Sequence, residues 1–304
     1  MIHFLQVMID ALALGSLYAL TALAIGLVFG VMRLINFAQA DYVTVGAYSL
    51  VVPTASISPP LLLGGLSPAL MVAGVLLTVT ALALLTERLA FRPLRNTDAS
   101  TLLISSFAVS YFIQSLITLV HGGRPKAVDI GGNLTQSVEF AGLHVPGVQL
   151  LTLFVALTLL IGLVLFIKKT SMGIQLRAAA EDFQMARLLG VPANRVIAIA
   201  FAISGILGGT ISLLFIIQTG LLSIKMGLIP IVYAFFATVI GGMGSLPGAV
   251  LGGFIVGIFS VLLQSYLPAD LRPFRDAGVF GLVILILLVR PQGLIVTSAA
   301  KERV

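Results

Sequence analysis

The 304-residue chain is 59% hydrophobic and 9% charged, carries a net charge of +6, and contains no cysteine or tryptophan. Ordinary soluble domains have roughly a quarter of their residues charged, so this composition excludes that class and points to a polytopic membrane protein. Without cysteine there are no disulfides, thiolate metal sites or cysteine nucleophiles.

Charge-free runs mark the spans, because a bilayer core takes about 20 apolar residues in a helix and tolerates charge poorly. The start, MIHFLQVMID, lacks the basic n-region of a cleavable signal. The apolar run after it, Ala11–Met32, is 22 residues long and fits a first span. Tyr42–Thr86 runs 45 residues without a charge, broken by Pro53, Pro59, Pro60, Gly64, Gly65 and Pro68, which predicts two spans around a turn. Ala99–Val120, Val148–Ile167 and Val196–Gln218 follow as single spans. Met226–Ala269 contains GGMGSLPG at Gly241–Gly248 and predicts two more. Ala277–Val289 is short, a span starting near Pro273 or a tilted partial helix. The expected fold class is all-α, an integral membrane protein of about 8–9 transmembrane helices in one domain over residues 1–304.

Two connections are long. Residues 121–147 read as a loop with room for a short hairpin. Residues 168–195 hold the one long polar helix, RAAAEDFQMARLLGVPANR at Arg177–Arg195. Its residues favour a helix of about three turns, Gly190 is a natural stop and Pro192 prevents continuation. Met185, Leu188 and Leu189 share a side at i, i+3, i+4, an apolar stripe suited to a protein groove.

Lysine and arginine concentrate on the cytoplasmic side of membrane proteins. Placing the 168–195 loop there leaves only Arg124, Lys126, Lys225, Arg272 and Arg275 of the 17 basic residues outside. The N-terminus is then external and the C-terminus cytoplasmic. The +6 is thus topological, and a nucleic-acid partner is not expected.

No phosphate loop, HExxH or GxSxG occurs, and His3, His121 and His144 are scattered. No catalytic residue, metal site or cofactor of this chain's own is expected. Asp10, Asp41, Glu87, Asp98, Asp270 and Asp276 stand at span ends, which argues against a proton relay. Asn36 and Gln39 have capping-box spacing, so a helix begins near Phe37 with Asp41 in its first turn. Either this is a capped span, or it is a broken helix whose polar end borders a solute path. Glycines four apart (Gly26/Gly30, Gly205/Gly209, Gly248/Gly252, Gly253/Gly257) predict close helix packing. Uncharged polar residues inside spans, among them Tyr18, Ser105, Ser106, Gln114 and Gln218, need partners in hydrocarbon and face other helices or a cavity. With Asn36 and Gln39 they are the candidate lining of a path for a small, partly apolar solute.

Four blocks, INFAQADYVTVGAY at Ile35–Tyr48, RAAAEDFQMARLLGV at Arg177–Val191, GGMGSLPGAVLGG at Gly241–Gly253 and RPQGL at Arg290–Leu294, resemble the branched-chain amino acid permeases (LivH type) of bacterial ABC importers, in family order. The polar helix is similar to the E-A-A-x-x-x-G cytoplasmic loop of importer permeases, here Gln184-Met185-Ala186-x-x-x-Gly190. Where family members often have histidine and glycine, this chain has Gln39 and Ala40.

The resemblance implies an inner-membrane permease with the ABC importer permease fold that forms half of a path for leucine, isoleucine or valine. The implied partners are a second homologous permease, two cytoplasmic ATPases that bind ATP and magnesium, and an external substrate-binding protein. It implies that Glu181, Asp182, Gln184, Met185, Ala186, Arg187, Leu188, Leu189 and Gly190 couple the chain to an ATPase. The rival readings are a urea or short-amide permease and, from another class, a self-contained secondary transporter or channel.

Overall fold

The structure is a computed structural model that describes residues 2–54, 56–62, 67–95, 97–132, 136–140 and 143–295. Gly64, Gly65, Asn133, Lys301 and Arg303 lie outside these. Eleven α-helices are described: α1 (Ile2–Met32), α2 (Gln39–Tyr48), α3 (Pro68–Thr86), α4 (Ala99–His121), α5 (Gly147–Lys169), α6 (Ser171–Glu181), α7 (Phe183–Leu188), α8 (Ala193–Thr219), α9 (Leu228–Gly241), α10 (Leu246–Tyr266) and α11 (Arg275–Val289). Four short strands, β1 (Lys126–Ala127), β2 (Ser137–Phe140), β3 (Leu143–Pro146) and β4 (Leu221–Leu222), form two antiparallel pairs, β1 with β4 and β2 with β3. The β2–β3 pair is the hairpin expected in the 121–147 loop.

The all-α membrane class is therefore as expected. Among the described residues six helices are long and apolar enough to cross a bilayer: α1, α3 with its extension to Phe91, α4, α5, α8 and α10. Three expected spans are shorter, α2 with 10 residues, α9 with 14 and α11 with 15. The first half of Tyr42–Thr86 is thus a half-helix followed, among the described residues, by non-helical chain in which Val51 bridges Leu61. A charge-free stretch satisfies hydrophobicity equally well as helix or as irregular chain buried in protein, so length alone misleads here.

The ends of the helices sort onto two faces. On one, Arg95 donates to Asn194 at the start of α8, a Cβ added at Gly30 of α1 would stand 3.6 Å from Ala180 Cβ of α6, and Leu294 N donates to Ile240 O at 2.8 Å. On the other, Ala127 N donates to Ile57 O and Val128 N to Gly220 O, both at 2.9 Å, and His3 meets the Tyr266 ring. Residues 88–95 and 168–195 therefore share one face and β1 to β3 the opposite one.

α1 and α8 are the most buried spans and form the centre. α10 packs between α1 and α9 through two glycine stripes. A Cβ at Gly257 would stand 2.2 Å from Gly15 Cα, one at Gly253 2.3 Å from Ala19 Cα, and one at Gly252 1.9 Å from Ala237 O. Gly205 and Gly209 of α8 meet α3 in the same way, 2.8 Å from Thr80 Cα and 3.1 Å from Leu76. Lipid tails are as apolar as leucine, so helices in a bilayer gain by such backbone approach. Gly26 and Gly30 depart from the expectation of tight packing: a Cβ added at either would come no nearer than 3.4 and 3.6 Å to a neighbouring atom, and both line a cavity.

α3 continues into a π-turn, Glu87–Phe91. There Phe91 is fully buried, 5.5 Å from the Phe201 ring, and Glu87 pairs with Arg95. Burial pulls the Arg95 guanidinium below its ordinary value, an effect that Glu87 partly offsets.

Gly257→Leu is expected to lower the thermal midpoint of the detergent-purified protein, since overpacking at a backbone contact costs about 1–3 kcal/mol or more. Gly162→Leu on α5, with nothing within 4 Å, is expected to leave the midpoint unchanged.

Candidate functional site

The polar segment is not one helix. α6 is capped by Thr170, whose hydroxyl accepts from Gly173 N at 3.0 Å, and its Leu176 and Ala179 are buried against the spans. The chain then breaks at Asp182 (φ −142°, ψ 104°), whose carboxylate accepts from Gln184 N and Met185 N at 2.9 Å each. Aspartate competes with the helix for backbone N–H groups, and here it caps a new helix instead of continuing the old one. The expected run of three turns is thereby corrected to α6, a break, and α7.

α7 ends as its sequence predicts. Gly190 has φ +88°, Gly190 N donates to Arg187 O at 3.1 Å, and Val191 N donates to Ala186 O at 3.0 Å, the two bonds of a Schellman stop. Ala186 is buried and Phe183 half-buried, both facing the core. Outward stand Met185, Leu188 and Leu189, the two leucines 81% and 85% exposed. Glu181, Asp182, Gln184, Arg187 and Gly190 are also exposed, so of the nine expected coupling residues only Ala186 is inside. Phe183, absent from that set, anchors the helix from below; its i, i+3 spacing to Ala186 was the available signal.

Deeper in the molecule, polar groups gather where α1 gives way to α2. Arg33 takes the left-handed conformation (φ 53°) and turns the chain out of α1, and residues 33–38 then run without helix to Gln39. The capping box does not form. Asn36 Oδ1 accepts from Ala38 N at 3.1 Å, while the Gln39 side chain reaches α8: its Nε2 donates to Ser204 O at 3.3 Å and its Oε1 lies 2.8 Å from the Ser204 hydroxyl. Ser204 also lies 3.2 Å from Ala24 O of α1. Ser204 is 11 residues from the start of α8, about 16 Å along its axis, so α2 begins at mid-depth.

Around this start, Asn36 Nδ2 donates to Tyr42 OH at 3.5 Å, and Tyr42 is hydrogen-bonded to Thr86. Gln114 of α4 donates to Asp41 Oδ1 at 3.0 Å and to Ser110 at 3.1 Å. Asp41 is 1% exposed, and its Oδ2 has no hydrogen-bond partner among the described residues. It is therefore an interior acid and not one at a span end. The start of α9 meets the same place: Gly227 N donates to Thr44 Oγ1 at 3.3 Å, and a Cβ on Gly227 would stand 1.9 Å from Ala40 O. Two half-helices abut at mid-depth with their N-termini together.

Of the seven candidate path residues, Asn36, Gln39 and Gln114 are brought together at this junction. Tyr18 is elsewhere, stacked on Tyr233 of α9 at 5.0 Å, with Tyr233 donating to Asp276, itself paired with Arg275. Gln218 donates to Thr152 of α5 at 3.0 Å, Ser106 bonds Leu103 O of its own helix, and Ser105 is half-buried on that helix. Asp41, Tyr42, Thr86 and Ser204 join the cluster although sequence reasoning did not select them.

The sequence model of a family described as "Branched-chain amino acid transport system / permease component" matches residues 7–289. The chain is similar to the high-affinity branched-chain amino acid transport system permease protein BraD of Pseudomonas aeruginosa, 33% identical over 302 residues and 96% of each chain. It is 34% identical over 299 residues to the permease protein LivH of Escherichia coli K12, covering 97% of this chain and 96% of that one. A probable LivH of Methanocaldococcus jannaschii is 30% identical over 93% of this chain and 90% of its own length.

Asp182→Ala removes both capping bonds, a loss of about 1 kcal/mol for such a cap. Amide hydrogen exchange at Gln184 and Met185 is expected to rise severalfold, with exchange in α6 unchanged.

Proposed function

The chain belongs to the branched-chain amino acid permease family, and from that premise we propose that it forms half of the translocation path of an ATP-driven importer for branched-chain, hydrophobic amino acids. The family match favours neither the urea or short-amide reading nor the self-contained carrier. The observation that supports the coupling role is α7, a short capped helix that holds Leu188 and Leu189 out at 81% and 85% exposure while Ala186 fixes it to the spans. Apolar side chains so displayed on a rigid base are suited to a groove of a partner.

In this reading the importer carries two ATPase subunits, and a groove on one of them seats α7, taking its apolar stripe with Leu188 and Leu189 foremost. ATP and magnesium reside on those subunits, and this chain supplies no catalytic residue. Closure of the ATPases moves α7, and α6 passes the displacement to α1, α5 and α8, against which it packs. The path runs beside the α2–α9 junction, where Asn36, Gln39 and Gln114 orient a zwitterion with amides and two helix N-termini. A homologous permease completes the path, and an external binding protein delivers the solute. The α6–α7 face is cytoplasmic and the N-terminus external, since that orientation leaves only five of 17 basic residues outside.

Leu188→Asp with Leu189→Asp is expected to leave the protein in the membrane yet abolish ATPase pull-down and cut uptake by the reconstituted complex more than tenfold. Normal pull-down and uptake would overturn the coupling role. For orientation, single cysteines at Gln184 and Arg124 are expected to react with an impermeant thiol reagent from opposite sides, Arg124 from outside. Gln39→Leu is expected to lower uptake several-fold more than it lowers complex yield; equal losses would make Gln39 an interhelical tie only.

A further inference from the structure

On the α6–α7 face, α1, α5 and α10 enclose a groove of about 1,210 Å³. Its floor is Gly26 and Gly30, the one pair of the four spaced glycine pairs not used in tight packing. Its walls are aliphatic, Leu160 and Val164 of α5 opposite Val250 and Leu251 of α10. Its mouth carries four charged residues: Arg33 from the turn after α1, Lys168 from the end of α5, and Arg177 and Glu181 from α6. All four are exposed. The ion pairs among the described residues are Glu87–Arg95 and Arg275–Asp276, so the three cations are unpaired there.

The dimensions are those of one leaflet. From Leu23 to Arg33 on α1, and from Leu160 to Lys168 on α5, the apolar wall rises about 12–15 Å before the cations begin, and half of a bilayer core is about 15 Å. The volume exceeds the roughly 300–1,000 Å³ usual for small-solute pockets. A protein covering the mouth would have to bury three cations, which is costly unless each is paired.

We propose that this groove seats an anionic phospholipid of the α6–α7 leaflet, its acyl chains over Gly26 and Gly30 and its phosphate among Arg33, Lys168 and Arg177. Glu181 reduces the local charge to +2 and favours a headgroup with a single net charge. Because α6 forms one wall and leads directly to Asp182, the seated lipid bears on the base of α7. The seat stands on its own geometry, and only its effect on uptake rests on the coupling role.

The test uses the full complex in nanodiscs of phosphatidylcholine, with spin-labelled phosphatidylglycerol or phosphatidylcholine as probe. The immobilised fraction is expected to favour phosphatidylglycerol by at least roughly fivefold, the gain from one engaged cation near a surface. That preference is expected to vanish in the triple variant Arg33→Gln, Lys168→Gln, Arg177→Gln, and in Gly30→Leu, which fills the floor with the charges intact. Arg88→Gln with Arg92→Gln, cations of the same face away from the groove, is expected to keep it. Equal loss in the Arg88 and Arg92 variant, or no loss in the first two, overturns the seat. So does cross-linking of a cysteine at Val164 to another subunit, which would mean that protein covers the groove. A complex in which Leu188→Asp with Leu189→Asp keeps uptake would remove the coupling role yet leave the lipid preference intact, which separates the two failures.

Discussion

Within hydrocarbon every backbone N–H and C=O must find a partner in the protein, and each unsatisfied group costs several kcal/mol. This chain interrupts its helices twice at mid-depth, before α2 and before α9, and the rest of the architecture serves those interruptions. Side chains satisfy the freed groups: Asn36 takes Ala38 N, and Thr44 takes Gly227 N. Gln39 and Ser204 then tie the start of α2 to α8, and Ser204 in turn reaches α1. The two most buried helices are central because they supply these partners.

The long helices were legible in the sequence because charge is so costly in a bilayer that its absence over 20 residues has few other meanings. Of the two half-helices, a break before α2 was one of two readings that the residues left open, and the short α9 was not foreseen. A 45-residue uncharged stretch carries the same composition whether it holds two spans or one span and a buried turn. Only tertiary partners such as Ser204, 165 positions from Gln39, decide between them. The same limit explains Asp41. Its position in the first turn of a helix was read correctly, but that turn lies inside the bundle, where Gln114 meets it.

In the polar segment, propensity placed helix over the second half of α6 and over α7 but read them as one and missed Ser171–Leu176; the stop at Gly190 was legible because a positive φ selects glycine whatever surrounds it. The break at Asp182 escaped notice since Ala178–Ala180 and Gln184–Leu189 are good helix formers on both sides, and an aspartate between them is compatible with either a continuous helix or a new cap. Glycine spacing was similarly double-edged. Three of four pairs lie in backbone contacts, whereas Gly26 and Gly30 create a hollow, and spacing alone does not distinguish a surface that approaches from one that recedes.

The interlock of α10 has a mechanical consequence. Gly15 and Ala19 of α1 sit in the notches left by Gly257 and Gly253, while Gly252 meets the α9 backbone on the adjoining side. Sliding any of these helices by one residue would bring Phe254 or a leucine into a notch sized for hydrogen, so the three resist shear as keyed parts do. A block keyed in this way moves as a unit, and the chain leading out of it bends where helix is absent, at the turn at Arg33 and the link before Gly227.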